Sequence, residues 1–300
     1  MNTDKKTAVA LGCFDGLHKG HISVITCALS FKERGFVPLV LLFDAHPLLS
    51  LTGSAPTELL QPAERDGIIA AMGAEKHIIS FDSIKNLSPR EFVENILIGS
   101  LNAGAVCCGW NFRFGKGNSG SCDVLEALCA EYGIELCISQ PVIEGEDPVS
   151  SSRIRQAAAE GNIPLMDRML GREFGYKYTV VDGSKRGRLM DAPTINQYFD
   201  KNFTVPRHGV YASFTVIGDK KYPSVTNIGL RPSFENEDLR SETYIIGFCG
   251  DLYGKDIEVR LLEYLRGEMK FDDLDMLRRQ IRTDAVNSQK IFEERGGRIV

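Results

Sequence analysis

A glycine-broken turn near the amino terminus constrains this chain more than any other feature. Thr7–Leu11 is mostly apolar, as in a buried first strand, and Gly12–His21 follows it as Gly-Cys-Phe-Asp-Gly-Leu-His-Lys-Gly-His. Apolar residues then recur at helical spacing, so the turn joins a strand to the start of a helix. Glycine lets a backbone approach a ligand closely, and a helix N-terminus offers N–H groups to an anion. The stretch therefore predicts a site for a phosphorylated ligand.

Two histidines in this turn add chemistry to that prediction. His18 and His21 are three residues apart, so they share one face of the first helical turn. Imidazoles in that position can donate hydrogen bonds to a phosphate chain and stabilise charge on a leaving group. A lone histidine near a helix start is usually a polar surface residue, but the pair favours a nucleotide site. Gly12, Phe14 and Asp15 are then the neighbouring candidates for nucleotide or phosphate contacts.

Composition limits the kind of protein that can carry this site. The chain has 300 residues, a formal net charge of −5 and eight cysteines, none of them in a Cys-x-x-Cys pair. The length suggests two domains, and the acidic balance gives no support for a nucleic-acid partner or a membrane surface. With no signal-peptide core and no apolar run of membrane length, we expect a cytoplasmic protein with reduced thiols.

Strands and helices alternate through the first half of the chain. After the first strand, the sequence predicts strands at 36–43, 76–81, 105–108 and 134–139, and helices at 62–72, from Ser88 onward and at 123–132. Such alternation, with continuously apolar strands, predicts a parallel sheet that is covered on both faces. Ligands of such sheets bind beyond the carboxyl ends of the strands, which is where the glycine turn lies.

Two later stretches fall at equivalent strand ends. Gly109–Gly117 follows the fourth strand and mixes aromatic rings, basic groups and Asn111, whose amide can donate and accept. Val149–Arg155 follows the fifth strand and opens a helix, where Ser151 can cap free N–H groups and Arg155 can reach a triphosphate. By itself the first stretch fits a packed loop equally well, and capping alone explains the serines of the second.

Together these motifs resemble those of a known family. The turn carries the H-x-G-H signature of the nucleotidyltransferase superfamily. The series G-x-F-D-G-x-H-x-G-H, G-x-N-F-x-F-G and S-S-x-R-I-R, in this order, resembles the adenylyltransferase half of the bacterial bifunctional riboflavin kinase/FAD synthetases. The resemblance implies that His18 and His21 contact the ATP phosphates and that Asn111 lies near the nucleotide. It also implies that Ser151 and Arg155 hold the triphosphate.

The second half of the chain changes character after Gly161–Gly171. Strand-like alternation replaces the strand–helix units, with strands predicted at 178–182, 209–217, 222–228, 242–248 and 257–265. Strands separated by Gly, Pro and Asp turns predict a small closed β-barrel, and Asp272 or Asp273 caps a terminal helix that we expect to pack on it. We therefore divide the chain into an α/β, Rossmann-like nucleotidyltransferase domain at 1–165 and a β-barrel domain at 166–300.

Two groups of residues in the second half suit phosphates or a metal ion. Gly183, Gly187 and Arg188 belong to a glycine-flanked basic loop that suits phosphates, although basic hairpin tips are common. Thr194 and Asn196 are two residues apart, so in an extended chain their side chains point to the same side. A hydroxyl and an amide oxygen placed in this way can bind Mg²⁺, while a polar turn explains them equally well.

Glu242 stands at the start of a predicted strand. A carboxylate there is usually solvated, but it can also act as a base toward a hydroxyl. The stretches Asn227–Phe234, Asp251–Gly254 and Leu265–Phe271 resemble the riboflavin kinase half of the same family. The resemblance therefore covers nearly the whole chain.

The resemblance implies roles for these residues, and the chain also departs from the family pattern. Thr194 and Asn196 would bind Mg²⁺ and the ATP phosphates, and Glu242 would deprotonate the ribityl hydroxyl of riboflavin. Where the family usually has G-F-P-T-A-N, this chain has D-A-P-T-I-N. The substitution places a negative charge at Asp191 and a larger side chain at Ile195 beside the two polar residues.

The family resemblance implies two ATP-dependent reactions, from riboflavin to FMN and from FMN to FAD. We expect Mg²⁺, small-molecule substrates, no nucleic-acid or membrane partner, and a monomer or a weak homo-oligomer. Two alternatives stay open from the sequence. One is an FMN adenylyltransferase whose barrel half is a weak or decayed kinase that binds flavin. The other is a different adenylyl- or cytidylyltransferase that acts on another phosphate acceptor.

Overall fold

The protein consists of two compact units. The computed structural model describes residues 5–182, 193–232 and 237–297. The units are Met1–Ser151 and Ser152–Val300, and the division falls at the start of a helix that begins at Ser151. The predicted domain boundary between residues 165 and 166 stays a prediction.

A five-stranded parallel sheet forms the centre of the first unit. Its strands lie in the order β3-β2-β1-β4-β5, and every pairing is parallel. Their bounds are β1 Thr7–Leu11, β2 Val37–Phe43, β3 Glu75–Ile79, β4 Ala103–Gly109 and β5 Glu135–Ser139. Val9 and Leu11 pack into one core, and Ala8 and Ala10 pack into another on the opposite face. The predicted parallel sheet, covered on both faces, is therefore confirmed.

Helices connect these strands. Their bounds are α1 Lys19–Ser30, α2 Pro47–Thr52, α3 Pro62–Met72, α4 Phe81–Ile84, α5 Pro89–Glu91 and α6 Cys122–Tyr132. The predicted start at Ser88 is confirmed, because Ser88 and Glu91 form a reciprocal capping box. Beyond α5 the chain continues as a π-helix over Phe92–Ser100, a form that apolar spacing alone does not distinguish from an α-helix. A short hairpin, β6 (Ile143–Glu144) and β7 (Asp147–Pro148), follows β5.

The second unit begins with two helices, which a six-stranded antiparallel sheet follows; the sheet curls into a nearly closed barrel. The helices are α7 Ser151–Glu160 and α8 Ile163–Leu170. The strands are β8 Gly175–Thr179, β9 Thr194–Tyr198, β10 Gly209–Ile217, β11 Lys220–Pro232, β12 Glu237–Ile245 and β13 Asp256–Arg266, in the order β8-β13-β10-β11-β12-β9. Nε2 of Gln197 on β9 donates to the carbonyl oxygen of Tyr178 on β8 at 2.6 Å, which joins the two edge strands. The predicted small barrel is confirmed.

The barrel interior is partly polar. Ser213, Thr226 and Thr243 come from three adjacent strands and are fully buried. Their hydroxyls form a chain, 2.8 Å from Ser213 to Thr226 and 2.9 Å from Thr226 to Thr243. Because successive residues of a strand point to opposite faces, an inward Thr243 places its neighbour Glu242 on the outer face of the barrel.

The terminal helix α9, Leu274–Glu294, packs on the barrel as predicted. Asp273 caps it by accepting a hydrogen bond from the backbone N–H of Met276 at 2.7 Å. The ring centroids of Phe292 and of Phe214 on β10 lie 5.8 Å apart. Within the ranges that the structure describes, neither α9 nor another helix combines the length and the apolar character needed to cross a membrane.

Candidate active sites

The turn after β1 has a strained backbone. Phe14 and Leu17 have positive φ angles of 51° and 40°, and Gly16 has a φ of 78°. Residues other than glycine adopt this region at a cost in free energy. A side chain at position 16 would also collide, because its Cβ would lie 2.9 Å from Cβ of Leu59. Strain of this kind concentrates at ligand sites, which agrees with the predicted role of the turn.

His18 ends the turn and caps α1. Its Nδ1 accepts a hydrogen bond from the backbone N–H of His21 at 3.3 Å. Because Nδ1 is the acceptor, the neutral imidazole carries its proton on Nε2. The structure therefore places a hydrogen-bond donor at a helix N-terminus, where anions bind.

His21 packs directly against His18. The two rings stack with centroids 3.7 Å apart and an interplanar angle of 17°, and the ring of Phe14 meets His21 at 5.4 Å. Burial, followed by the proximity of His18, lowers the pKa of His21 well below its usual value of 6.5. Nδ1 of His21 is buried and has no hydrogen-bond partner among the described residues. His21 is therefore a neutral imidazole near pH 7.

Phe14 is placed differently from a side chain that touches a nucleotide. It is fully buried, in the core that β1 and α1 share. Its ring supports His21 and would lie 3.3 Å from a Cβ at Gly12. The ring of Phe14 therefore supports the turn from the core rather than facing a ligand.

Asp15 and Ser151 hold the turn from two directions. Oδ1 of Asp15 accepts a hydrogen bond from the backbone N–H of Leu59 at 3.1 Å. The hydroxyl of Ser151, the first residue of α7, donates to the carbonyl oxygen of Asp15 at 3.0 Å. The structure thus brings two predicted site residues together. Their contact with a triphosphate stays a prediction.

The end of β4 lies beside the turn, because β1 and β4 pair in parallel along their length. Asn111 follows β4 and is exposed, and Gly12 follows β1 and is half-buried. The backbone N–H of Trp110 donates to the carbonyl oxygen of Ser139 at 3.0 Å, which holds this loop to the end of β5. Asn111 and the histidine turn therefore share the carboxyl edge of the sheet, where α/β folds bind ligands.

Four other predicted phosphate contacts stay predictions. Arg155 lies on α7, four residues after Ser151, in the second unit. Its contact with the triphosphate stays a prediction. Gly183, Gly187 and Arg188 lie outside the described residues.

The second predicted group lies on the outer face of the barrel. Asn196 of β9 pairs with Glu242 of β12, and Asn227 of β11 pairs with Glu242 from the other side. Thr194 shares the face of Asn196, which is 5% exposed. Strand pairing thus brings together predicted residues from two separate stretches, Thr194 and Asn196 from one and Glu242 from the other.

Glu242 lies in the middle of a strand, so its predicted position at a strand start is wrong. The strand begins at Glu237 and pairs with β11 and β9. Charged residues in Glu237–Ser241 hid this part of the strand from a pattern based on apolar residues. The side chain of Glu242 is 23% exposed, so it is less solvated than a strand-start carboxylate.

Thr194 and Asn196 supply neutral oxygen donors. Mg²⁺ sites in ATP-using enzymes combine a few protein oxygens with substrate phosphates. In the described parts of the chain, no group of three or more His, Cys, Asp or Glu residues could hold a metal ion. Thr194 and Asn196 alone provide too few ligands for Mg²⁺, so an ion held by them would also need oxygens of the ATP phosphates.

Sequence reasoning missed two residues of this face. Nη2 of Arg240 donates to Oε1 of Glu242 at 2.6 Å. Oδ1 of Asn227 is buried, with no hydrogen bond to any part of the chain that the structure describes. Counting back two residues from Glu242 would have found Arg240. Asn227 could be found only from strand register, which is a long-range property.

The fold and the two polar sites define a two-unit transferase that uses nucleotides. An FAD synthetase family model matches residues 1–153, and a riboflavin kinase family model matches residues 170–292. The bifunctional riboflavin kinase/FMN adenylyltransferase of Escherichia coli (strain K12) is 32% identical, over 95% of this chain and 92% of its own. The protein of the same description from Bacillus subtilis (strain 168) is 31% identical, over 96% and 93%.

A solved structure agrees over nearly the full length. A crystal structure described as a macrolide-efflux protein from Streptococcus pneumoniae has a TM-score of 0.88 and 29% identity, covering 96% of this chain and 95% of its own. The chain belongs to the bifunctional riboflavin kinase/FMN adenylyltransferase family. Because a riboflavin kinase model matches the barrel unit, neither alternative from the sequence is favoured.

Proposed function

We propose that this chain makes FAD from riboflavin in two ATP-dependent steps. The barrel unit transfers the γ-phosphate of ATP to riboflavin, giving FMN and ADP. The α/β unit transfers AMP from a second ATP to FMN, giving FAD and pyrophosphate. One observation carries the proposal: each family match falls on a structural unit that has its own polar site.

Adenylyl transfer depends on charge stabilisation in the α/β unit. A phosphate oxygen of FMN attacks the α-phosphorus of ATP, and pyrophosphate leaves with negative charge. His18 donates from Nε2, and the first N–H groups of α1 stabilise the same anion. His21 keeps the His18 ring in place by stacking on it. Asn111 adds a proposed contact with the nucleotide, and no covalent enzyme intermediate is needed.

Phosphoryl transfer depends on Glu242 in the barrel unit. Its carboxylate takes the proton of the ribityl hydroxyl while that oxygen attacks the γ-phosphorus, and ADP leaves. Thr194 and Asn196 would hold Mg²⁺ together with the ATP phosphates, and the bound ion would supply stabilisation of the phosphate charge. Asn196 stands in register with Glu242, so the nucleotide and the acceptor hydroxyl would meet on one face.

Two variants test whether the reactions use separate sites. His21→Ala should lower FAD formation from FMN by on the order of a hundredfold, because the donor that it supports is lost from its position. Formation of FMN from riboflavin should stay unchanged. Thr194→Ala should have the opposite pattern, while Thr194→Ser keeps the hydroxyl and serves as the matched control. A parallel loss of both reactions in either alanine variant would contradict separate sites.

We further propose that the protein acts on these small molecules in the cytoplasm, as a monomer or a weak homo-oligomer. All eight cysteines are free thiols, which supports a reducing compartment. The formal net charge of −5 gives no support for a nucleic-acid partner. Light scattering at several protein concentrations would measure the oligomeric state, and a stable trimer or larger assembly would contradict this part.

A further inference from the structure

An arginine–glutamate ion pair lies on the outer face of β12. Nη2 of Arg240 lies 2.6 Å from Oε1 of Glu242, and the two side chains are 10% and 23% exposed. We propose that Arg240 is a positioning residue that holds the Glu242 carboxylate in the orientation needed to accept the proton of the acceptor hydroxyl. This inference rests on the proposed role of Glu242 as the base.

A second ion pair in the same barrel has a similar geometry and serves as a comparison. Arg260 and Glu258 are also two residues apart on one strand, with Nε of Arg260 2.7 Å from Oε1 of Glu258. Their side chains are 14% and 32% exposed, close to the values of the first pair. Arg260 also donates from Nη1 to the carbonyl oxygen of Glu173 at 3.0 Å. Its guanidinium therefore joins β13 to the chain before β8.

Arg240 forms fewer hydrogen bonds with the described residues than Arg260 does. Its Nε is buried and has no hydrogen-bond partner among the residues that the structure describes. An unpaired buried N–H group lowers the stability of a fold. Buried groups without a hydrogen-bond partner are expected at functional positions, where a residue serves chemistry rather than stability. This contrast with Arg260 assigns Arg240 to the site.

The surroundings of the pair explain why one cation matters there. In register, Glu242 is flanked by the neutral side chains of Asn196 and Asn227. Across β11, the carboxylate of Glu268 lies against Gly229, which pairs with Arg240. Among these neighbours, Arg240 is the cation that holds Glu242 by a direct hydrogen bond. A fixed carboxylate loses less freedom when the acceptor hydroxyl arrives, which favours a productive geometry.

The test compares variants of the full-length protein with riboflavin, ATP and Mg²⁺. We expect Arg240→Gln to lower kcat for FMN formation by about tenfold to a hundredfold, with KM values within about twofold. Arg240→Lys keeps the positive charge and should recover a large part of kcat. Arg260→Gln breaks the matched pair and should leave these constants unchanged. FAD formation from added FMN should be the same in all three variants.

A double variant separates positioning from a structural effect. If Arg240 acts through Glu242, then Arg240→Gln combined with Glu242→Gln is no slower than Glu242→Gln alone. A slower double variant, or an Arg240→Gln variant with wild-type kcat beside an inactive Glu242→Gln variant, would overturn the inference. Wild-type kcat in Glu242→Gln would instead contradict the proposed function. If melting shows Arg240→Gln to be unfolded, Arg240→Met and Arg240→Lys are compared by the same criteria.

Discussion

Replacing His18 with asparagine separates its capping role from its chemistry. In the structure, Nδ1 of His18 accepts the N–H of His21 at 3.3 Å. Asparagine is a strong N-cap residue, so His18→Asn keeps an acceptor at the start of α1. His18→Ala removes it and should cost about 1 kcal/mol, which lowers Tm by about 2–4 °C in a unit of this size. The Asn variant should melt within about 1 °C of the wild type.

Both variants remove the Nε2 donor, so both should lose adenylyl transfer. Loss of a donor that stabilises developing charge costs on the order of a hundredfold, or about 2.7 kcal/mol in the barrier. The assay measures FAD formation at saturating FMN and ATP, and phosphorylation of riboflavin in the same preparation is the control. Wild-type FAD formation in His18→Asn would refute the role of the imidazole. An Asn variant that melts like the Ala variant would refute the cap.

Two further predictions concern pH. The pKa of His21 lies well below 6.5 in the folded protein, so as pH falls the unfolded chain takes up a proton at His21 before the folded protein does. The contribution of His21 to the free energy of unfolding is therefore complete above about pH 6.5 and falls as pH decreases. His21→Asn should flatten this decline in urea unfolding between pH 8 and 5, and an unchanged slope would contradict the assignment. Burial raises the pKa of Asp167 from 3.8 to about 6, although the Phe174 N–H and Arg295 donate to it. Its contribution is therefore complete below about pH 4 and is lost as pH rises to about 6, by up to about 3 kcal/mol. Asp167→Asn should remove that slope, and its persistence would show that another group causes it.

Local patterns predicted the fold well. The first strand, Thr7–Leu11, and the strand Gly209–Ile217 have the predicted bounds, because both are apolar runs between clear turn signals. The caps at Ser88 and Asp273 depend on residues within one helical turn, so the sequence predicted the first and narrowed the second to Asp272 or Asp273. The π-helix and the early start of β12 were missed, because they depend on packing and strand pairing rather than on local spacing.

The sequence identified many residues of the candidate sites, but it did not predict how the fold arranges their side chains. The sequence identified His18, but its role as the cap of α1 depends on the backbone of the turn. Phe14 was expected at the nucleotide, whereas its positive φ turns the ring into the core. Arg240 joins Glu242 because they share one face of β12, and the predicted strand began too late to include it.

The most direct test of the account follows riboflavin through both reactions. The purified full-length protein is incubated with riboflavin, ATP and Mg²⁺, and riboflavin, FMN and FAD are separated and quantified over time. We expect FMN to form first and FAD to follow, with each step dependent on ATP. If riboflavin stays unchanged while added FMN becomes FAD, the barrel site has no kinase activity. If neither flavin is converted, the proposed function is contradicted.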